Sequence, residues 1–352
     1  MFQTEAIFLQ KKGKPENAFE LRKTTLRSLE NDEVLIESEA FGLNYADVMA
    51  RNGLYREAPP FPCVIGYEVV GKIINVGSNV DSNLIGKRVL AFCRFGGYAK
   101  HVITRQIAVA EIGDIPFEMA LALCTQAVTA YYMSDVLAPI QKGDNVLIHA
   151  AAGGVGSILI QLCKRKGATV IAKVGSDKKI DAVLGLGADY AVNYKKADYV
   201  TDIKRILKGN HLDASFNPVA GSTMKKDLSL LDSGGRLFLF GGSEMVGGKF
   251  GILSTLNFLR KMGVFIPVKL MMLSKNILGV NMLKIADNRP YVIQNCLKEV
   301  VELYHKGELK VISGGCFNYT EIAKAHQLLE EGQSMGKISV KWLVDDSENQ
   351  IS

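Results

Sequence analysis

The chain is short of the features that mark several large classes of protein. Its six cysteines stand at 63, 93, 124, 163, 296 and 316. None are paired at C-x-x-C spacing, which removes a zinc-ribbon or thioredoxin-type motif. Several lie in apolar runs and read as buried thiols, as suits a reducing compartment. No uncharged apolar run approaches the roughly 20 residues that a membrane-spanning helix needs. The apolar stretch around 263–273 is cut by Pro267 and Lys269. The N-terminus has no signal-peptide core. Together these absences lead to the expectation of a soluble, cytoplasmic protein. Lysine and arginine exceed aspartate and glutamate by 42 to 36, a net charge of +6. The basic residues are scattered, however, with no basic stripe interleaved with aromatics, so nucleic acid is not an expected partner. Mild basicity suits an anionic cofactor instead. No internal repeat or low-complexity tract is evident.

What is present is enough material for about two full-sized domains: 352 residues, 48% of them hydrophobic. Up to about residue 110 the chain reads as β-rich, with strands expected at 33–38, 69–76, 87–93 and 98–103 between glycine and polar punctuation. One helix is expected over 116–137. Strands at 145–150, 169–174, 190–193, 214–217 and 236–240 then alternate with helices at 155–166, 178–186, 200–208 and 222–231. That order predicts a parallel, doubly wound sheet. A helix near 253–262, a strand at 276–283, helices at 291–305 and 320–331, and a strand at 337–344 complete the reading.

The most informative stretch is the apolar run Val146-Leu147-Ile148 leading through His149 and Ala150-Ala151-Ala152-Gly153-Gly154-Val155-Gly156 into a helical pattern. Strand, glycine turn and helix in succession form the layout of a dinucleotide pyrophosphate site. Glycines let the backbone approach the phosphates, and the helix aims its first N–H groups at their charge. Ala151 holds the first position of the usual G-x-G-x-x-G, while Gly153 and Gly156 hold the second and third. In an NAD-binding unit an acidic residue about 20 positions further on binds the ribose hydroxyls. Here that place reads Gly175-Ser176-Asp177-Lys178-Lys179. Gly175 cannot repel a 2′-phosphate, and Ser176 and Lys179 can bind one, so NADPH is expected over NADH. The alternative is a solvated helix start with ordinary lysines. Asp177 is a good helix N-cap and need not touch cofactor.

Taken together, six blocks resemble the medium-chain dehydrogenase/reductase superfamily in its zinc-free quinone oxidoreductase branch, and within it the vesicle amine transport protein homologues. They are Phe41 to Tyr55, Pro62 to Gly71 leading into Val76-Gly77-Ser78, Gly96-Gly97-Tyr98-Ala99, the glycine turn, Tyr190-Ala191-Val192-Asn193-Tyr194, and Gly336-Lys337-Ile338. The resemblance covers nearly the whole chain. It implies an α/β protein with a GroES-like β-rich catalytic domain built from both chain ends (1–128 and 284–352). A Rossmann NADPH-binding domain (129–283) would be inserted between them, with the active-site cleft at their junction. It also implies a homodimer paired through the strand near 276–283, whose edge offers unpaired backbone groups.

Zinc-dependent members carry a Cys in the first block and Gly-His-Glu in the second. This chain has Asn44 and Gly66-Tyr67-Glu68 there, and Cys124 would stand alone, so no metal site is expected. Without metal, developing negative charge must be met by hydrogen-bond donors. A hydride from NADPH then suits an electron-poor acceptor, a quinone or an α,β-unsaturated carbonyl. By resemblance, Asn44 would donate to the substrate oxygen or hold the nicotinamide ribose, and Tyr55 would donate to the enolate. The alternatives are a turn-stabilising amide and a rim aromatic. Asp47 would anchor its loop, and Arg51 reads as solvated. Thr129, Gly153, Gly154, Val155, Gly156, Ser176, Lys179, Tyr194, Phe240, Gly241, Gly242 and Lys337 would contact the cofactor, simple exposure being the alternative for Lys337. Gln126 departs from the family pattern, as does Asn217, where Asp is usual. His149 reads as a packed strand histidine with no identified partner. A second functional reading is an NADPH-binding protein that associates with lipid or other partners. The apolar segment 258–273, with Arg260, Lys261 and Lys269, motivates it; the plainer reading is a cover for the cleft and dimer edge.

Overall fold

The computed structural model describes residues 2–245, 252–263 and 266–342, and the chain divides into two compact units. The first comprises Met1–Thr125 and the chain from Ile312 onward; the second is Gln126–Val311. In the first unit, β1 (Phe2–Leu9) and β2 (Phe19–Leu26) form an antiparallel pair. The sequence does not mark these strands, because β2 is largely exposed on both faces and carries little apolar alternation. β3 (Glu33–Leu43) is followed by the short helix α1 (Tyr45–Arg51), then β4 (Glu68–Val76), β5 (Arg88–Phe92), β6 (His101–Arg105) and β7 (Val109–Glu111).

Helix α2 (Phe117–Ala122) begins after Pro116, whose fixed φ suits a helix start. The single helix expected over 116–137 does not form. At Cys124 ψ is −113°, and the next residue, Thr125, donates its backbone N–H to Glu68 Oε2 at 2.7 Å. A side chain that captures a backbone donor breaks the helical ladder at that point. The boundary between the units falls immediately after Thr125.

The second unit opens with α3 (Val128–Tyr131) and continues as β8 (Asn145–Ile148), α4 (Gly154–Arg165), β9 (Thr169–Val174), α5 (Ile180–Gly185), β10 (Tyr190–Asn193), α6 (Tyr199–Leu207), β11 (Leu212–Asn217), α7 (Ser222–Leu230) and β12 (Leu231–Leu239). Then come α8 (Ile252–Met262), α9 (Pro267–Leu273), β13 (Asn276–Gly279), α10 (Met282–Asn288) and α11 (Pro290–His305). The strands are all parallel, in the order β10-β9-β8-β11-β12-β13. This is the 3-2-1-4-5-6 order of a dinucleotide-binding sheet, and it is parallel as the alternation predicts. Leu147, Ile171, Tyr199, Ile203, Leu212, Met224 and Leu237 form one core cluster on it. Two expectations need correction. The strand at 276–283 ends at Gly279, and Met282 onward is helical, started by Asn281, whose side chain accepts from the Lys284 N–H at 3.3 Å. The second unit also runs to Val311 instead of ending at 283. Helix α11 buries Ile293, Cys296, Leu297 and Val300, and Gln161 of α4 exchanges two 2.8 Å hydrogen bonds with the backbone of Lys310. Within the 244–275 stretch, 246–251 and 264–265 lie outside the described residues.

The chain returns to the first unit with β14 (Ser313–Asn318), α12 (Ile322–Glu330) and β15 (Lys337–Lys341). These complete a seven-stranded sheet of order β14-β15-β3-β4-β5-β7, with β6 also on β3. Phe41, Leu43, Ile65, Val69, Tyr98 and Val340 lie in its core. The pairing of β15 with β3 sets Leu43 opposite Ile338, so the residue after β3 and the first residue of β15 are neighbours.

Candidate functional site

The glycine turn is built as its sequence requires. After β8, Ala150 adopts φ 48°, Gly153 N–H donates to Ala150 O at 2.8 Å, and Ala151 N–H donates to Lys173 O at 3.1 Å. Helix α4 starts at Gly154, followed by Val155 and Gly156. A Cβ on Gly156 would lie 2.5 Å from Ala150 O and 2.7 Å from Ala151 Cα, both backbone atoms, so only glycine allows this approach of helix to strand. A Cβ on Gly154 would overlap the Gln126 side-chain amide. Gln126 is buried and its Oε1 has no hydrogen-bond partner. An orphaned polar atom beside a helix N-terminus fits a site completed by a polar ligand. Thr129, on α3, is buried.

Past β9 the chain enters the corner expected to read the ribose. Tyr194 Oη lies 3.0 Å from where a Cβ on Gly175 would stand, so the absent side chain leaves room for the phenol. Ser176 is extended, with no capping hydrogen bond, and Lys179 lies half-buried at the end of the next turn. Burial lowers the Lys179 pKa, and the nearby charge of Lys195 lowers it further. A second cation nearby raises the local positive potential. Asp177 accepts from Asn193 Nδ2 at 2.9 Å and pairs with Lys196, which holds its carboxyl below the usual range. It is thus tied to the protein, though as a loop brace instead of an N-cap. Across the sheet, Phe240 follows β12, and a Cβ on Gly241 would stand 2.7 Å from Pro218 O; Gly242 is next in line.

Sequence reasoning missed a buried polar chain at the same carboxyl edge. His149 does have a partner: its Nε2 lies 2.9 Å from Asp227 Oδ2, and its Nδ1 lies 3.0 Å from Lys173 Nζ. An ammonium can only donate, so Nδ1 accepts and the proton sits on Nε2, which donates to the carboxylate. Burial lowers the His149 pKa, consistent with a neutral ring. Asp227 further accepts from Tyr199 Oη (2.8 Å), Ser215 Oγ (2.8 Å) and Asn217 Nδ2 (2.6 Å). Asn217 belongs to this network, whose carboxylate comes from α7. Burial brings Lys173 down to about 8, with Asp227 opposing.

In the first unit, Asn44, Glu68 and Lys337 converge, all buried. Asn44 Nδ2 donates to Glu68 Oε1 at 2.9 Å, and Lys337 Nζ donates to Asn44 Oδ1 at 3.0 Å and contacts Glu68 Oε1. Lys337 is therefore not exposed. Its ammonium is enclosed, and it fixes which way the Asn44 amide points. Burial lowers its pKa, with the Asp47 carboxylate opposing. Asp47 Oδ2 accepts the Asn44 backbone N–H at 2.8 Å, the loop-anchoring role expected of it. Burial pushes its pKa up to about 7 against that hydrogen bond. Tyr55 is half-buried, edge-on to Tyr67 with ring centroids 6.2 Å apart, and burial pushes it up to about 12. It keeps its proton at neutral pH. Arg51 corrects an expectation: it is buried, with Nη2 on Glu330 Oε2 at 2.6 Å and Nη1 on Gly13 O. It occupies the last turn of α1, and Glu330 of α12 supplies the counter-charge. Among the described residues, no three His, Cys, Asp or Glu side chains converge as a metal site would require.

Two family models match the chain: "Alcohol dehydrogenase GroES-like domain" over residues 30–114 and "Zinc-binding dehydrogenase" over residues 154–298. Among curated proteins it is similar to the human "Synaptic vesicle membrane protein VAT-1 homolog", 28% identical over 87% of this chain and 78% of that one. It is also similar to "Quinone oxidoreductase 1" of Escherichia coli K12, 34% identical over 70% of this chain and 76% of that one. Among solved structures, Escherichia coli quinone oxidoreductase complexed with NADPH superposes with a TM-score of 0.81 at 26% identity, over 96% of this chain and 99% of that one.

Proposed function

Because the chain belongs to the medium-chain dehydrogenase/reductase superfamily, in its zinc-independent quinone oxidoreductase and VAT-1-like branch, we propose that it passes a hydride from NADPH to a quinone or α,β-unsaturated carbonyl. The observation that supports the reading is the glycine turn, which tolerates no side chain at Gly156, together with Tyr194 lying over Gly175, the residue before Ser176. When bound, NADPH supplies the hydride. The α4 N-terminus, Gly153, Gly154, Val155 and Gly156 would hold its pyrophosphate, with Gln126 completing the turn. Ser176, Lys179 and Tyr194 would bind the 2′-phosphate. Thr129, Phe240, Gly241 and Gly242 would border the nicotinamide.

Asn44 and Tyr55 supply the donors. Glu68 and Lys337 fix the Asn44 amide, which uses one of its two N–H groups on Glu68 and has a second to offer a substrate oxygen or the nicotinamide ribose. Lys337 serves the site by orienting that amide. Tyr55, protonated up to about 12, can donate to an enolate or hydroquinone anion as charge develops. The test is oxidation of NADPH by purified protein against 1,4-quinones and straight-chain enones. Turnover of either class supports the reading. Tight NADPH binding with no acceptor reduced would contradict it.

For partners and place, we take the protein to be a cytoplasmic homodimer. β13 is the last strand of its sheet, all six cysteines are free thiols, and no helix among the described residues is long and apolar enough to cross a membrane. A specific observation keeps lipid association as a second reading. Helix α9 exposes Met271 and Met272, 74% and 79% accessible, near Val268 and Lys269. Replacing both methionines with Glu separates the two. We expect a dimer in light scattering that weakens on replacement, with no vesicle co-sedimentation before or after. Monomeric wild-type protein that pellets with anionic vesicles, and stops doing so on replacement, would reverse the choice.

A further inference from the structure

Lys173 is a charged side chain buried in the second unit, 5% exposed. It sits one residue before the end of β9, and its ammonium has three neighbours: His149 Nδ1 at 3.0 Å, the Tyr199 ring centroid at 4.0 Å and the Tyr194 ring centroid at 4.7 Å. His149 stands between it and Asp227, so its positive charge is not cancelled by direct contact with that carboxylate. Tyr199 is itself tied down through its hydroxyl to Asp227. Of the three neighbours only Tyr194 reaches the surface, at 46% exposure. Its phenol rests over Gly175, the residue that opens the ribose corner. A cation against the face of an aromatic ring holds that ring in place, most strongly when the cation is desolvated.

We propose that Lys173 is a specificity-determining positioning residue for the cofactor's 2′-phosphate: braced by His149 and Asp227, it holds the Tyr194 ring over Gly175 and adds positive potential beneath the corner formed by Ser176 and Lys179. This rests on the NADPH reading above and names a buried residue that the glycine-turn and ribose motifs do not include. A point charge below the corner favours the doubly charged phosphate ester over a hydroxyl.

Calorimetric titration with adenosine 2′,5′-bisphosphate and with AMP isolates that effect from turnover. Wild-type protein is expected to bind the bisphosphate more tightly. Lys173→Met is expected to weaken bisphosphate binding about five- to tenfold and leave AMP within about twofold. Tyr194→Leu, at a half-exposed position, should give the same selective loss, and the double variant should lose less than the sum of the two single losses, because the two residues share one contact. Equal weakening of both ligands in Lys173→Met would assign the residue a merely structural role and overturn the proposal, as would an unchanged preference. Should Lys173→Met fail to fold, an unchanged preference in Tyr194→Leu overturns it equally. Wild-type protein with no preference for the bisphosphate would remove the NADPH reading itself, and this proposal with it.

Discussion

At the scale of single residues, the chemistry rests on polar groups held without solvent. Asp47 shows the consequence most clearly. Burial pushes its carboxyl up to about 7 in the folded protein, against 3.8 for the free group. Between those values the folded state keeps a proton that the unfolded state has lost, so raising the pH through this window removes stability, fully so above about 7. Asp47→Asn cannot titrate and leaves an amide oxygen to accept the Asn44 N–H. Urea unfolding at pH 4.5 and 7.5 should show the wild type losing ground to the variant, by a few kcal/mol at most. A gap that is independent of pH would mean Asp47 is charged throughout. Residues of this kind were only partly legible in sequence. Asp47 reads as a loop anchor in sequence and holds its loop. Arg51, read as solvated, is buried, because its counter-charge Glu330 lies 279 positions away. The His149–Asp227 pair was hidden for the same reason, its members being 78 positions apart.

At the scale of elements, the junction from β8 through the glycine turn to α4 sets how near a ligand can come to the backbone. It was legible because its constraints are local: apolar strand, glycines and helix succeed one another within a dozen residues. Gly156→Ala places a methyl group against Ala150 O and Ala151 Cα. We expect it to destabilise the protein by about 1–3 kcal/mol and to weaken NADPH binding more than tenfold, measured by thermal melting and fluorescence titration. Normal NADPH affinity in a fully stable variant would show that the turn is not the pyrophosphate site. Elements governed by non-local contacts were harder to read. The 116–137 helix breaks because Glu68 takes the Thr125 N–H from the ladder. β14 escaped notice because Ser313-Gly314-Gly315 offers no alternation, and its pairing partner is β15.

At the scale of the whole molecule, each unit carries its own part of the proposed chemistry. The second unit holds the glycine turn and the ribose corner on the carboxyl edge of a parallel sheet. The first would supply Asn44, fixed by Glu68 and Lys337, and the protonated Tyr55. The two-part fold was legible from the change in pattern along the chain, β-rich and then alternating. The place where the second unit ends was not, since α11 reads as amphipathic wherever it packs. The central claim is that the molecule is a zinc-independent reductase selective for NADPH. Its most direct test is kcat/KM for NADPH and for NADH with one 1,4-quinone acceptor, on protein dialysed against a chelator. Turnover that survives chelation and prefers NADPH by at least about tenfold is the result expected. Activity that disappears on chelation and returns with zinc, or a clear preference for NADH, would contradict the account.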